Sequence, residues 1–556
     1  MMKGVYTITL SCQGKKLTSL QRHIVALEVI LTVNKIPTAQ LVIAERGPPA
    51  EQPFHLSRGD FFKPGHRVDI HLRYEDEPKN EKLIFSGIVV KHKIAWHDDH
   101  GSRLSLDLKS QAIRLTTRRK SVLFEKTTDK DIITRLIKQG GLTLKGAIGK
   151  AEVKHPQMVQ YHCSDWDFIL ARATANGLWV LFHYLEGKEH IQIVAPDFKQ
   201  SPKQVFNVNN VDPQIVIHNV ELEVDIRQQL NKVRAAHWDT KKLALTWVDA
   251  QQTSVKQGTV DAVQAAQTIG ADPYPLVHLG GVAPEELQAC SKAMLDQARL
   301  TLLRGRFQIK GRKNITLGEC IAIKGVGSYF EGHAIVTGIR HQLNREGWQT
   351  HVQVGLTEGM SRSFEMCDPA AAGLLPAIQG LHVGIVVGHA KEQNPQFCLK
   401  VHLPLLEDKN KVLWARLASP YASDKKGLVF RPEVGDEVVL GFFNNDPRYP
   451  VILGAMHSEK NPPPLAMEKD NHQKGIVTQE NMQFLMDDKE KTLKWMTAKN
   501  NSVTLVSGKK SGIYLKDQHN NQVNLTEQGI DIKLDKNLTA DTGQNVVIKG
   551  KKIDFK

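Results

Sequence analysis

Trp96-His97-Asp98-Asp99-His100 sets two histidines and two aspartates in consecutive positions, a composition that could hold a divalent cation. Gly101 follows it between two alternating runs, so the spacing reads more simply as a solvated hairpin tip. Glu285-Glu286 could work as paired carboxylates, but they open an amphipathic segment, where acidic groups complement the helix dipole. Ser57 and Cys163 are potential nucleophiles without a nucleophile elbow or an oxyanion-type glycine context. Gly325-Val326-Gly327 lacks the third glycine and the βαβ setting of a nucleotide site, and reads as a turn. His382, His402 and His457 flank one small β-rich segment and could converge, although unconnected histidines are the simpler reading. The sequence therefore assigns no catalytic residue, no metal ligand and no cofactor.

The elements that would carry any such site belong to a large chain. Its 556 residues exceed one ordinary core, so three or more domains are expected. Hydrophobic residues are 41% and charged residues 24%, enough apolar material for packed cores. The net charge of +14 is spread along the chain with no basic arm, so nucleic acid is not an expected partner. Six cysteines lie far apart with no CxxC, which suits reduced, buried thiols. The start, MMKGVYTITLSCQGKK, alternates like a strand and has no signal-peptide pattern, and no run of about 18 apolar residues occurs. Synthesis in the cytoplasm without a classical signal is the expectation.

The chain reads as mainly β. Residues 1–115 alternate as short strands with a turn at Asn34-Lys35-Ile36-Pro37, a pattern for a first barrel. Residues 116–212 form an α/β insertion, with helices opened by Thr-Asp near 128 and by Ser164-Asp165-Trp166-Asp167. Residues 213–365 read as a second barrel containing an amphipathic helix from 285. Residues 366–379 read as a linker, 380–457 as a five-stranded OB-type barrel, and 458–474 as a proline-rich spacer.

Residues 475–556 differ from everything before them. Val503 and Leu505, Ile513 and Leu515, Val523 and Leu525, then Ile530, Ile532 and Leu534 form short apolar alternations, followed by Val546 and Ile548. Polar turn clusters such as Asp517-Gln518-His519-Asn520-Asn521 separate them. One copy of such a ladder offers little core to offset its ordering entropy. The pattern demands partners, and identical chains wound together would bury the stripe and remove free edges.

Several strings together resemble the spike proteins of contractile injection systems: the VgrG proteins of type VI secretion, their extracellular-particle relatives and the hub and spike of contractile phage tails. They include Asn34-Lys35-Ile36-Pro37, Phe62-Lys63-Pro64-Gly65, Phe85-Ser86-Gly87, and Gln160 through Ser164-Asp165-Trp166-Asp167 to Arg172-Ala173 and Asn176-Gly177. Further along come Trp414-Ala415-Arg416, Pro432-Glu433-Val434-Gly435-Asp436, Asp446-Pro447 and Tyr449-Pro450. The resemblance implies two hub barrels, an OB collar and an intertwined trimeric β-helix needle. It also implies a homotrimer that meets a hexameric inner tube protein and baseplate proteins. A PAAR-type tip protein would sit near Val546, Ile548, Ile553 and Phe555, and the target membrane would be met on firing. Delivery would be extracellular or into target cells. No enzyme activity is expected; the rivals are a β-helical polysaccharide-degrading enzyme and a receptor-binding tail fibre.

Overall fold

Alternating apolar positions become strands throughout the chain, and the turns between them fall where a residue tolerates a left-handed backbone. A computed structural model describes residues 5–45, 55–97, 101–209, 215–239, 242, 244–249, 253–271, 273–312, 314–356, 370–389 and 397–554. The chain divides into two units, Met1–Ala455 and Met456–Lys556.

In the first unit, one thirteen-stranded sheet runs through both β-rich regions. They meet where Ile24–Thr32 pairs antiparallel with Gly332–Asn344. A single apolar cluster follows the sheet, with Phe62, Phe85 and Leu41 from one region and Phe307, Val352 and Ile321 from the other. Tyr74 stacks on Trp348 with ring centroids 5.0 Å apart, and its hydroxyl donates to the Gly311 carbonyl at 2.8 Å. Gly87 is needed for close approach: a Cβ there would lie 2.4 Å from the Lys109 carbonyl oxygen. Asn34 turns the chain at φ 61°, and its Oδ1 accepts from the Val180 N–H at 2.8 Å. The Asn-Lys-Ile-Pro turn is thereby docked onto the α/β segment.

That segment carries the helices Asp129–Gln139 and Asp165–Ala175. Thr128 Oγ1 accepts from Asp131 N and Ser164 Oγ from Asp167 N, the caps expected from sequence. Gln160 Nε2 donates to Asp165 Oδ1 at 2.9 Å and Lys120 reaches Asp165 at 2.6 Å, so this string is a local polar clamp. The helix Pro284–Leu300 packs on the same core. A short helix, Ala262–Thr268, capped by Asp261, has no counterpart in the sequence reading. Within the expected linker, Ala371, Ala372, Leu374 and Leu375 are buried in the helical core. Small residues read as a spacer there, yet they are apolar enough to pack.

Residues from His382 to Ala455 close a five-stranded barrel. Val386, Leu399, Val401, Leu413, Val438, Leu440 and Ile452 fill it. Trp414 alternates outward between Leu413 and Ala415, with the Lys400 ammonium 5.2 Å from its ring centroid, so it is not a core residue. Gly435 sits at φ 98°, and Asp436 accepts from the Glu433 N–H at 2.8 Å, the turn that the Gly-Asp pair predicts.

The second unit holds seven antiparallel strands in sequence order, from Gln473–Val477 to Gly529–Lys533. Asn481, Asn500 and Asn520 turn the chain at φ 59°, 65° and 66° along one edge. Asparagine tolerates that backbone through its short polar side chain. Past Lys533 no further strand forms among the described residues, so Val546 and Ile548 lie outside the ladder.

Candidate functional site

Register decides what the ladder presents. Ile476, Phe484, Trp495, Val503, Leu515, Val523 and Ile532 are aligned across the seven strands. Met486, Leu493, Leu505, Ile513, Leu525 and Ile530 form a second row, two residues away in each strand. Side chains two apart share a face, so both rows point the same way. The opposite face carries Gln473, Asp487, Lys494, Thr504, Asn524 and Asp531 among others. Trp495 is 56% exposed, Leu505 40%, Ile513 40% and Ile532 51%. Stable sheets bury such a face against a second layer, and the described residues of this unit supply none. Fully burying one Leu or Ile side chain contributes roughly 1.5–3 kcal/mol, so the uncovered rows are a strong drive toward association.

The proposed core residues thus share one face, except Leu534, which follows the last strand. Ile476, Phe484, Met486, Leu493 and Trp495 extend that face and were missed in the sequence reading. Their strands are signalled by the same alternation, with Asn481 and Asn500 as turn markers. Val546, Ile548 and Ile553 are exposed, and Phe555 lies outside the described residues. The single-layer meander is not the self-closed coil expected of a solenoid enzyme.

The first unit contains a different concentration of chemistry, a buried ionic cluster. Arg172 donates to both carboxylate oxygens of Asp129 at 2.7 Å and reaches Glu286 at 2.9 Å. Arg448 grips Glu286 at 2.9 Å through both oxygens and Asp446 at 2.8 Å. His155 Nε2 lies 3.1 Å from Asp129, and Asn176 donates to the same carboxylate at 2.9 Å. Gly280 N–H donates to His278 Nδ1, so His278 Nε2 carries the proton and donates to Asp446 at 3.1 Å. Burial alone would raise the carboxyls of Asp129 and Asp446. The Arg172 and Arg448 guanidiniums overcome it and hold both well below the usual carboxylate range.

This cluster joins the α/β segment, the Pro284–Leu300 helix and the turn entering the barrel strand Pro450–Ala455. Every carboxylate in it is engaged by a guanidinium, so none is available to take a proton from a substrate. Its chemistry is tethering. Glu286, read from sequence as a helix-start carboxylate, is the counter-ion shared by both arginines. No local signal marks this, because its partners lie more than one hundred residues away on either side.

The other candidates are dispersed. His92 Nε2 lies 3.3 Å from Ser57 Oγ, but His92 Nδ1 faces the Phe62 carbonyl instead of a carboxylate. Burial pushes the Cys163 thiol up to about 12, the opposite of an activated nucleophile. His382 meets the Tyr161 hydroxyl and the Gln379 carbonyl, and His402 the Lys411 carbonyl, so these two do not converge. Gly325 and Gly327 make a positive-φ turn. Asp98, Asp99 and His100 lie outside the described residues; among those described, no group of metal-ligating side chains is gathered.

A hub sheet bearing an α/β insertion, a closed OB barrel and a thin ladder with an apolar face define a VgrG-type spike. Residues 2–345 match the family described as the Alg8 N-terminal domain, and the chain belongs to that family. Residues 382–457 match the type VI secretion system/phage-baseplate injector OB domain. The type VI secretion system spike protein VgrG1b of Pseudomonas aeruginosa is 21% identical over 375 residues, covering 64% of this chain and 49% of the relative. The spike protein VgrG3 of Vibrio cholerae is 24% identical over 412 residues, 68% of this chain and 38% of the relative. An actin cross-linking toxin, VgrG1 of Vibrio cholerae, is 24% identical over 66% of this chain and 34% of its own length. The chain therefore spans about half, or less, of these relatives. A Francisella PdpA-VgrG complex has the same fold, with a TM-score of 0.57, 10% identity and coverage of 95% of this chain and 88% of that one.

Proposed function

We propose that this protein is the hub and spike of a contractile injection machine, acting mechanically instead of catalytically. Three copies would close their ladders around the shared apolar face, with Val503, Leu505, Ile513, Leu515, Val523, Leu525, Ile530 and Ile532 inside. The observation that carries this reading is the pair of registered apolar rows on a sheet with no second layer. A rod closed in this way has no free strand edge and transmits thrust without local unfolding. The proposed domains are two hub barrels over 1–115 and 213–365, the α/β insertion over 116–212, the OB collar over 380–457 and the needle over 475–556. The hub would join a hexameric inner tube to baseplate proteins, and a PAAR-type protein would cap the end near Val546, Ile548, Ile553 and Phe555. Assembly would precede delivery outside the cell or into a target cell through its membrane.

The test is mass in solution. The full chain should sediment at three times its 62.2 kDa mass and resist dissociation by detergent. Leu505→Asp with Ile513→Asp should destroy the detergent resistance, because charges would face the shared axis. A monomeric wild type, or a double variant as resistant as wild type, would refute the reading.

A further inference from the structure

Three neighbouring strands of the closed barrel are apolar on both faces. They are His382–His389, Glu437–Phe442 and Pro450–Ala455, and Glu437 is their one side chain with a full charge. Val386, Val438, Leu440 and Ile452 point into the barrel. On the outer wall Val383 pairs with Val439, and Val439 pairs with Gly454. A Cβ at Gly441 would lie 3.3 Å from the Leu453 side chain, so that side chain lies along the same wall. A continuous apolar strand is the pattern of a sheet covered on both faces. Here the outer cover is missing: Leu453 is 52% exposed and Val383 41%.

The same barrel extends an arm. Residues 421–431 form a hairpin with strands Ala422–Ser423 and Lys426–Gly427, and every residue of it is exposed. The hairpin is closely built. The Leu428 N–H donates to the Tyr421 carbonyl at 2.9 Å, and a Cβ at Gly427, whose φ is 146°, would lie 2.5 Å from that oxygen. Yet Tyr421 is 53% exposed, Phe430 59% and Val429 71%. A lone two-stranded hairpin is marginal in water, and apolar side chains concentrated on one mark a contact surface.

Arm and wall belong to one barrel, and both stay uncovered in the single chain. Two such complementary surfaces on one molecule meet between copies, head to tail, and the contact closes into a ring when the rotation allows. Their charges agree: Lys425, Lys426 and Arg431 outnumber Asp424 on the arm, whereas the wall strands carry only Glu437. The chain order agrees as well. The last barrel strand ends at Ala455, and residues 456–472 lead to the first ladder strand, so copies joined through their ladders hold their barrels at high local concentration.

We propose that the arm of each copy packs on the barrel wall of the next, with Val429 and Phe430 seated against Val383, Val439 and Leu453. Each copy gives one arm and receives one. This inference rests on the assembly reading and adds to it a second contact between copies, separate from the ladder.

Photo-cross-linking of the full chain carrying Phe430→p-benzoylphenylalanine tests it. After irradiation and boiling, a denaturing gel should show chains joined covalently in twos and threes, and the joined peptides should map to 382–389 or 437–455. Leu453→Asp in the same chain should cut that yield about tenfold or more, because a carboxylate would lie beneath the arm. Sedimentation and thermal unfolding of that variant should stay as they were, since Leu453 is exposed and the ladder is untouched. A protein that sediments as three chains but gives no product between copies, or products mapping elsewhere, overturns the arm contact alone. A yield unchanged by Leu453→Asp overturns it too. A monomeric protein overturns the assembly reading and the arm contact with it.

Discussion

The two units treat apolar surface in opposite ways. In Met1–Ala455, Phe62, Phe85, Phe168, Phe206 and Phe307 are fully buried, and even the charged groups Arg172, Asp446 and Arg448 are enclosed with their partners. In Met456–Lys556, the large apolar side chains Trp495, Ile530 and Ile532 are more than half exposed on a flat face. The first unit is stabilised by its own long-range contacts. The second has regular hydrogen bonding, but its described residues form no buried apolar cluster of their own. On the proposed reading, such a chain folds its hub internally and leaves the ordering of its needle to other copies.

The largest expected effect attacks the hub side of this contrast. Arg448→Met leaves Glu286 without one guanidinium and Asp446 without its own, both buried. Removing one partner from such a cluster costs about 3–5 kcal/mol. Denaturant unfolding followed by tryptophan fluorescence should show that loss in the hub transition. Hydrogen exchange over 483–533 should be unchanged. If needle protection falls equally, the two units are not independently stabilised.

Acid should act on the same side. Asp129 and Asp446 are held well below their ordinary value of 3.8 in the folded chain. Their contribution is fully present above that value and is lost as pH falls through it toward the lower folded values. Hub unfolding should therefore become easier on acidification below about pH 4. Arg448→Met should show a weaker acid dependence than wild type. An unaltered acid profile in that variant would contradict the role given to the cluster.

A smaller effect is expected on the needle side. Asn520→Ala puts a Cβ residue without a compensating side-chain contact at φ 66°, a strain of about 1 kcal/mol per copy. It should lower the detergent resistance of the assembly slightly and leave the hub transition where it was. A drop confined to the hub would break the contrast.

Much of this contrast is legible in the amino-acid sequence. Alternation and turn residues give the ladder from Val503 to Ile532, because strand period and asparagine turns are local properties. Ser164 and Thr128 announce their helices for the same reason. The strands carrying Phe484 and Trp495 show the same alternation, with Lys494 between Leu493 and Trp495, and extend the face that the sequence reading began at Val503. The ionic cluster is illegible: Arg172, Glu286 and Arg448 meet only through the fold. Several motif positions that carry the family resemblance, among them Arg172, Asn176, Asp446 and Tyr449, nevertheless lie in or beside that cluster. Those strings are explained by burial and ion pairing, with no catalytic role required. Ala371 and Ala372, within the expected linker, are buried, and small residues signal both flexibility and close packing.

The central claim is that other copies of this chain cover the needle's apolar face. Oxidative footprinting of the full-length protein reads this directly at Trp495 and Met486, which the single chain leaves 56% and 37% exposed. The account predicts that both are protected in the assembled protein and become reactive when Leu505→Asp with Ile513→Asp disrupts the face. Rapid oxidation of Trp495 and Met486 in the assembled wild type, at rates equal to the double variant, would contradict it.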